Sequence, residues 1–198
     1  MLKLSIFVFF FSLPVFASEL EDCANNEQAR LLAQLIVNDK DQQRSTIRCN
    51  KILTKAAVEK AKKMAEFGLV THNLDGSPNS RLEQAGYKLP KHYGREFDSN
   101  QVEAIAGGFS DAESVWHAFK RSESHRMHLL GEHEFYLEQD EIGVAMIKEW
   151  ESAHVEYWVV YLTKGYQNNQ SYEADMDDIP NKNMLIIQQS KNSENNTK

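Results

Sequence analysis

The sequence predicts an α+β fold made of one globular domain. Two stretches in the first third carry apolar residues at helical spacing, and two shorter capped helices follow. Further on, two runs rich in Val, Ile, Tyr and Trp read as strands joined by a charged hairpin. Helices and strands are segregated along the chain instead of alternating, which favours α+β over a βαβ arrangement.

The chain has 198 residues, of which 41% are hydrophobic and 26% charged, an ordinary balance for one soluble domain with tails. Lys and Arg number 22 against 29 Asp and Glu, a formal net charge of -7. That sign argues against a nucleic-acid partner, which needs a basic surface, and against tight docking on anionic lipid.

The N-terminus opens with Lys3, then an apolar run from Leu4 to Leu13 interrupted by Ser5 and Ser12. Pro14 breaks the run, and Val15-Phe16-Ala17 supplies small residues at cleavage offsets. The run is shorter than the ~20 residues that span a bilayer, so the segment reads as a secretory signal peptide and not as an anchor. The expected boundaries are 1–17 for the signal peptide, 18–165 for the domain and 166–198 for a polar, disordered tail. The mature chain would not be an integral membrane protein, and export leaves periplasm and medium equally open. Cys23 and Cys49 both survive cleavage, and an even pair in an exported chain favours one disulfide over two buried thiols.

Glu27 to Asn38 places Leu31, Leu32, Leu35 and Ile36 at helical spacing. Thr54 to Phe67 is the clearest helix. Ala57, Val58, Ala61, Met64 and Ala65 form its apolar stripe, and lysines and glutamates fill the other face. Thr54 offers an N-cap, Gly68 a C-terminal stop, and Glu59 with Lys63 an i,i+4 pair. Ser80-Arg-Leu-Glu83 reads as a capping box for a short helix closed by Gly86, and Ser110-Asp-Ala-Glu113 as a second one. Behind the second, Val115, Trp116 and Phe119 are core candidates, and the helix extends with a break to Leu130. Gln101 to Ala106 has strand character. Glu141 to Met146 and Val155 to Leu162 form the closing pair.

Seven histidines are present, and three polar residues stand out. His72 follows the clearest helix in a polar loop. His125 lies just after the second capped helix. Glu103 sits inside the apolar run Val102 to Ala106, where a carboxylate is costly to bury unless paired or ligating. Histidine and glutamate are common metal ligands, although no local ligand spacing joins these three. His128 shares a helix face with His125 and reads as structural. Ser122 and Ser124 flank His125, and helix-start serines are usually caps. No H-E-x-x-H, G-x-S-x-G or phosphate-cradling glycine loop occurs.

These residues fall in an order that resembles the CAP superfamily of cysteine-rich secretory, antigen 5 and pathogenesis-related proteins. AVEKAKKMAEFGLVTHNLDG resembles the family helix that ends in a histidine before Asp-Gly. RLEQAGY resembles the R-x-x-x-A-G-Y segment of bacterial members, and VEAIAGG stands where the family has G-E-N-I-A-x-G. SVWHAFKRSESHRMHLLG resembles the W-x-x-S-P-G-H-R-x-N-I-L helix, and EIGVAM with EYWVVYLTKG the closing strands.

The resemblance implies a three-layer α-β-α sandwich with a cleft lined by His72, Glu103, Ser122 and His125. It implies that His72, Glu103 and His125 hold a divalent metal, zinc in the first place, with an open position for water. Ser122 lies near the position where plant and animal members carry a further glutamate. The H-Y-T-Q strand histidine of those members is also missing, replaced by Tyr157-Trp-Val-Val-Tyr161. The expected function is an exported binding domain for a lipid, glycan or peptide ligand. The alternative is a metal-assisted hydrolase acting on peptide or envelope material. Trp150, Tyr157, Trp158 and Tyr161 are candidate ligand contacts, although core packing accounts for most such aromatics.

Overall fold

The computed structural model describes residues 21–165. The signal peptide expected over 1–17 and the tail expected over 166–198 lie outside the described residues.

Helix α1 spans Glu27–Val37, α2 Lys51–Phe67, α3 Pro78–Gln84, α4 Ala112–Arg121, α5 Glu123–Leu130 and α6 Glu134–Leu137. Strands are β1 (Arg48–Cys49), β2 (Glu103–Gly107), β3 (Glu141–Lys148) and β4 (Glu156–Thr163), in sheet order β1-β3-β4-β2. The β1–β3 pairing is parallel; β3–β4 and β2–β4 are antiparallel.

Side chains alternate across the sheet and seed two cores. Ala104, Ala106, Ile142, Val144, Trp158 and Val160 meet α1, α4 and α5 on one face. Ile105, Ala145, Tyr157, Val159 and Tyr161 meet α2 and α3 on the other. The chain is therefore an α-β-α sandwich, as expected. Every residue of β4 is buried, which suits a strand covered on both faces and explains its nearly continuous apolar run. Tyr157, Trp158 and Tyr161 belong to these cores, whereas Trp150 in the β3–β4 hairpin is 72% exposed. Gly143 lets α2 lie against the sheet: a Cβ there would stand 2.2 Å from the Thr54 nitrogen.

Several local details differ from the sequence reading. Helix α2 begins three residues before Thr54, because Asn50 Oδ1 accepts from the Ile52 and Leu53 N–H groups. Ser77, not Ser80, caps α3, and Asp111, not Ser110, caps α4. Lys63 pairs with Asp75 and Glu66, while Glu59 pairs with Lys62, so the expected Glu59–Lys63 pair does not form. The short elements β1 and α6 carried no periodic signal. The break between α4 and α5 falls at Ser122, and Gly68 ends α2 at φ 65°.

Cys23 and Cys49 form a disulfide that ties the first described turn to β1. The same segment is fastened by Thr54 Oγ1, which donates to the Asp22 carbonyl, and by Asn25 and Asn26, which donate to Met146.

Candidate functional site

Glu103 starts β2 opposite Tyr161 of β4. Asn100 closes the backbone on its outer side: its Oδ1 accepts from the Glu103 N–H at 2.9 Å, and its Nδ2 donates to the Glu103 carbonyl at 3.1 Å. The Glu103 side chain is fully buried, and both oxygens are engaged. Oε1 lies 2.8 Å from His72 Nδ1. Oε2 accepts from Arg81 Nη2 at 2.7 Å and from the Tyr161 hydroxyl at 2.6 Å. Burial alone would raise this carboxyl, but the His72 hydrogen bond and the Arg81 charge outweigh it and hold the group below the usual range.

Two cations brace this carboxylate. Arg81 also donates through Nη1 to the Leu74 and Gly76 carbonyls, fixing the turn after His72. Lys60 is 1% exposed and donates to the Thr71 and His72 carbonyls at 2.5 and 3.1 Å, fixing the loop that carries the imidazole. Burial pushes the Lys60 ammonium down to about 8, against the attraction of Glu103. The sequence reading placed the α2 lysines on the solvent face; for Lys60 that is corrected. It sits on the apolar stripe with Ala57, Ala61 and Met64, and a lysine on such a stripe was the available signal. Arg81 lies in RLEQAGY and Tyr161 in EYWVVYLTKG, but nothing local marks them as carboxylate partners.

An ionised carboxylate only accepts, so the proton between Glu103 and His72 sits on Nδ1. The His72 side chain is 38% exposed, and its Nε2 faces away from the carboxylate. His125 in the first turn of α5 packs at a tilt against Phe119, with ring centroids 4.9 Å apart. Burial, reinforced by the proximity of His72, pushes its imidazole down to about 4, so it is neutral at physiological pH. The fold thus joins His72 directly to Glu103 and brings His125 within electrostatic reach of His72. The Ser122 hydroxyl meets Ser124 Oγ at 3.3 Å.

As a metal centre the cluster is incomplete in one respect. Among the described residues no group of three His, Cys, Asp or Glu side chains is placed to hold an ion. Glu103 fits poorly as a direct ligand, because three of its roughly four acceptor positions are taken by His72, Arg81 and Tyr161 and the guanidinium against it repels a second cation. Glu103 stands instead behind the His72 imidazole, 2.8 Å from its Nδ1.

His128 is buried, with Nε2 2.9 Å from the Leu162 carbonyl, in line with a structural role. Burial pushes it down to about 3. The unfolded chain takes a proton near pH 6.5 that the native state refuses. Its contribution is therefore complete above about pH 6.5 and declines as pH falls toward 3, on the order of 3 kcal/mol by pH 4. Urea unfolding at pH 7 and pH 4 should show a smaller acid loss in His128→Leu than in the wild type. Equal losses would contradict this assignment.

No family model matches the sequence. No curated protein matches it either. Among solved structures, an outer surface protein from Borrelia burgdorferi matches with a TM-score of 0.51 at 24% identity, over 69% of this chain and 90% of that one. An extracellular protein containing an SCP domain from Bacillus anthracis str. Ames gives 0.47 at 16% identity, over 70% of this chain and 38% of that one. The likeness to the Borrelia protein is one of fold.

Proposed function

We propose that the protein is an exported CAP-like binding domain that takes a divalent metal, zinc first, on the His72 and His125 imidazoles, with a lipid, glycan or peptide ligand beside it. The observation that carries this reading is the Glu103 carboxylate 2.8 Å from His72 Nδ1. A carboxylate that holds one ring nitrogen protonated turns the other outward as a donor and raises its basicity, the usual outer-shell arrangement behind a metal-binding histidine. His125 is neutral because it is buried, and neutral imidazole is the ligating form. Two imidazoles fill part of a tetrahedral shell, and water or ligand atoms would complete it. A metal held there would supply Lewis-acid polarisation of a bound group.

Export is supported by the apolar segment before Ala17, by the Cys23–Cys49 bridge and by the fold shared with an outer surface protein. Periplasm and medium both suit it. Among the described residues no helix is long and apolar enough to cross a membrane.

Elemental analysis and zinc titration calorimetry test the reading. The wild type should bind about one zinc per chain, His72→Ala and His125→Ala should lose most of that affinity, and Glu103→Gln should weaken it roughly 10–100-fold. Failure of the wild type to bind zinc, or equal binding by both histidine variants, would remove the proposal. Zinc-dependent cleavage of peptide or envelope fragments, abolished in both variants, would move it to a metal-assisted hydrolase.

A further inference from the structure

We infer that the cavity between α2 and α3 is a binding site for a small molecule bearing an oxyanion, with the buried Lys60 ammonium as its receptor. The cavity has a volume of about 380 Å³, within the range of small-ligand sites. Neither His72 nor Glu103 lines it, although Lys60 and Arg81 on its wall contact both of them.

The charges on its wall decide the ligand class. Lys55, Lys60, Lys63 and Arg81 face Glu59 and Asp75, a local cationic surplus in a chain of net charge -7. Most of these have counter-charges. Arg81 is matched to Glu103 at 2.7 Å, Lys63 to Asp75 at 3.1 Å, and Glu59 to Lys62 at 3.5 Å. Lys60 differs. It is the most buried cation of the wall, and its two hydrogen bonds go to the carbonyls of Thr71 and His72. Carbonyls solvate an ammonium but do not neutralise it, and an ammonium has three donors. Glu103 supports the Lys60 charge only through space, and among the described residues no carboxylate pairs with the ammonium directly; an entering anion supplies a direct counter-charge and the third acceptor. Ala56, Leu74 and Ala85 leave room for a short apolar body beside the charged head.

Occupation of this cavity also reaches the His72 loop. Lys60 and Arg81 line the cavity, and the same two side chains hold the carbonyls of Thr71, His72, Leu74 and Gly76. A ligand on Lys60 should therefore be visible at backbone positions 71–76 that it does not touch.

The test is titration of the purified protein with acetate, inorganic phosphate and neutral acetamide at constant ionic strength, followed by amide NMR. At least one anion should give saturable shifts at Ala56, Lys60, Ala85 and Thr71, with acetamide silent. Acetate binding points to carboxylate ligands and phosphate binding to phosphoryl ligands. Lys60→Met, which removes the ammonium and keeps an unbranched apolar stem, should weaken binding at least tenfold. Ala85→Trp, which fills the cavity and leaves Lys60 in place, should do the same and decides the matter if Lys60→Met does not fold. No saturable shift with either anion, shifts equal to those with acetamide, or unchanged binding in Ala85→Trp would overturn the inference.

Discussion

Glu103→Ala is expected to destabilise the protein by about 3–5 kcal/mol, the usual penalty for breaking a buried ion pair by removing one partner. The cost comes from what is left behind. Arg81 keeps only 12% of its side chain exposed and would face Tyr161 and two carbonyls without its ion-pair partner. Lys60 would lose the attraction that supports its charge, and His72 would lose the acceptor that fixes its tautomer. Glu103→Gln is the informative companion. It preserves shape and some hydrogen bonds but not the charge, so it should fall between wild type and alanine. Urea unfolding of the three proteins measures this. A cost below about 1 kcal/mol for the alanine variant, in the range of an exposed ion pair, would mean that the network does not hold the site together.

Loss of the Cys23–Cys49 bridge is the second large effect. The half-cystines are 26 residues apart, and a loop of that size corresponds to about 3.5 kcal/mol of loop-closure entropy in the unfolded chain. Its location increases the consequence. β1 is two residues long and among the described residues pairs with β3 alone, so the sheet edge it forms has little ladder of its own. The N-terminal turn that the bridge fastens also carries Asn25 and Asn26, whose amides hold the Met146 carbonyl at the far end of β3. The Cys23→Ser/Cys49→Ser protein should melt on the order of 10 °C below the wild type. Reductant should lower the wild type by a similar amount and leave the variant unmoved. Coincident melting curves with and without reductant would show that the bridge carries no such load.

The candidate site is partly legible in the sequence. A carboxylate inside the apolar run Val102 to Ala106 is a polar group where burial is expected, and burial demands a partner. His72 proved to be that partner. The other half of the environment was not legible. Arg81 is 22 residues from Glu103 and Tyr161 is 58 residues away, and neither spacing leaves a periodic trace. The sequence also suggested Glu103 as a direct metal ligand, whereas folding surrounds its oxygens with the donors of His72, Arg81 and Tyr161.

What the chain determined by itself was local: two long amphipathic helices, a capped pair after them, a closing β-hairpin, the α+β class, and a disulfide-compatible pair of cysteines. These follow from residue spacing, because a helix or strand face repeats every few residues and must match the core it meets. What the tertiary structure alone decided was which long polar side chains turn inward. Lys60 and Arg81 reach the same carboxylate region from different helices, and Asn100 caps the edge of β2 beside it. Such choices depend on where separate elements come to lie against one another, and a pattern with the period of one helix or strand contains no term for that distance.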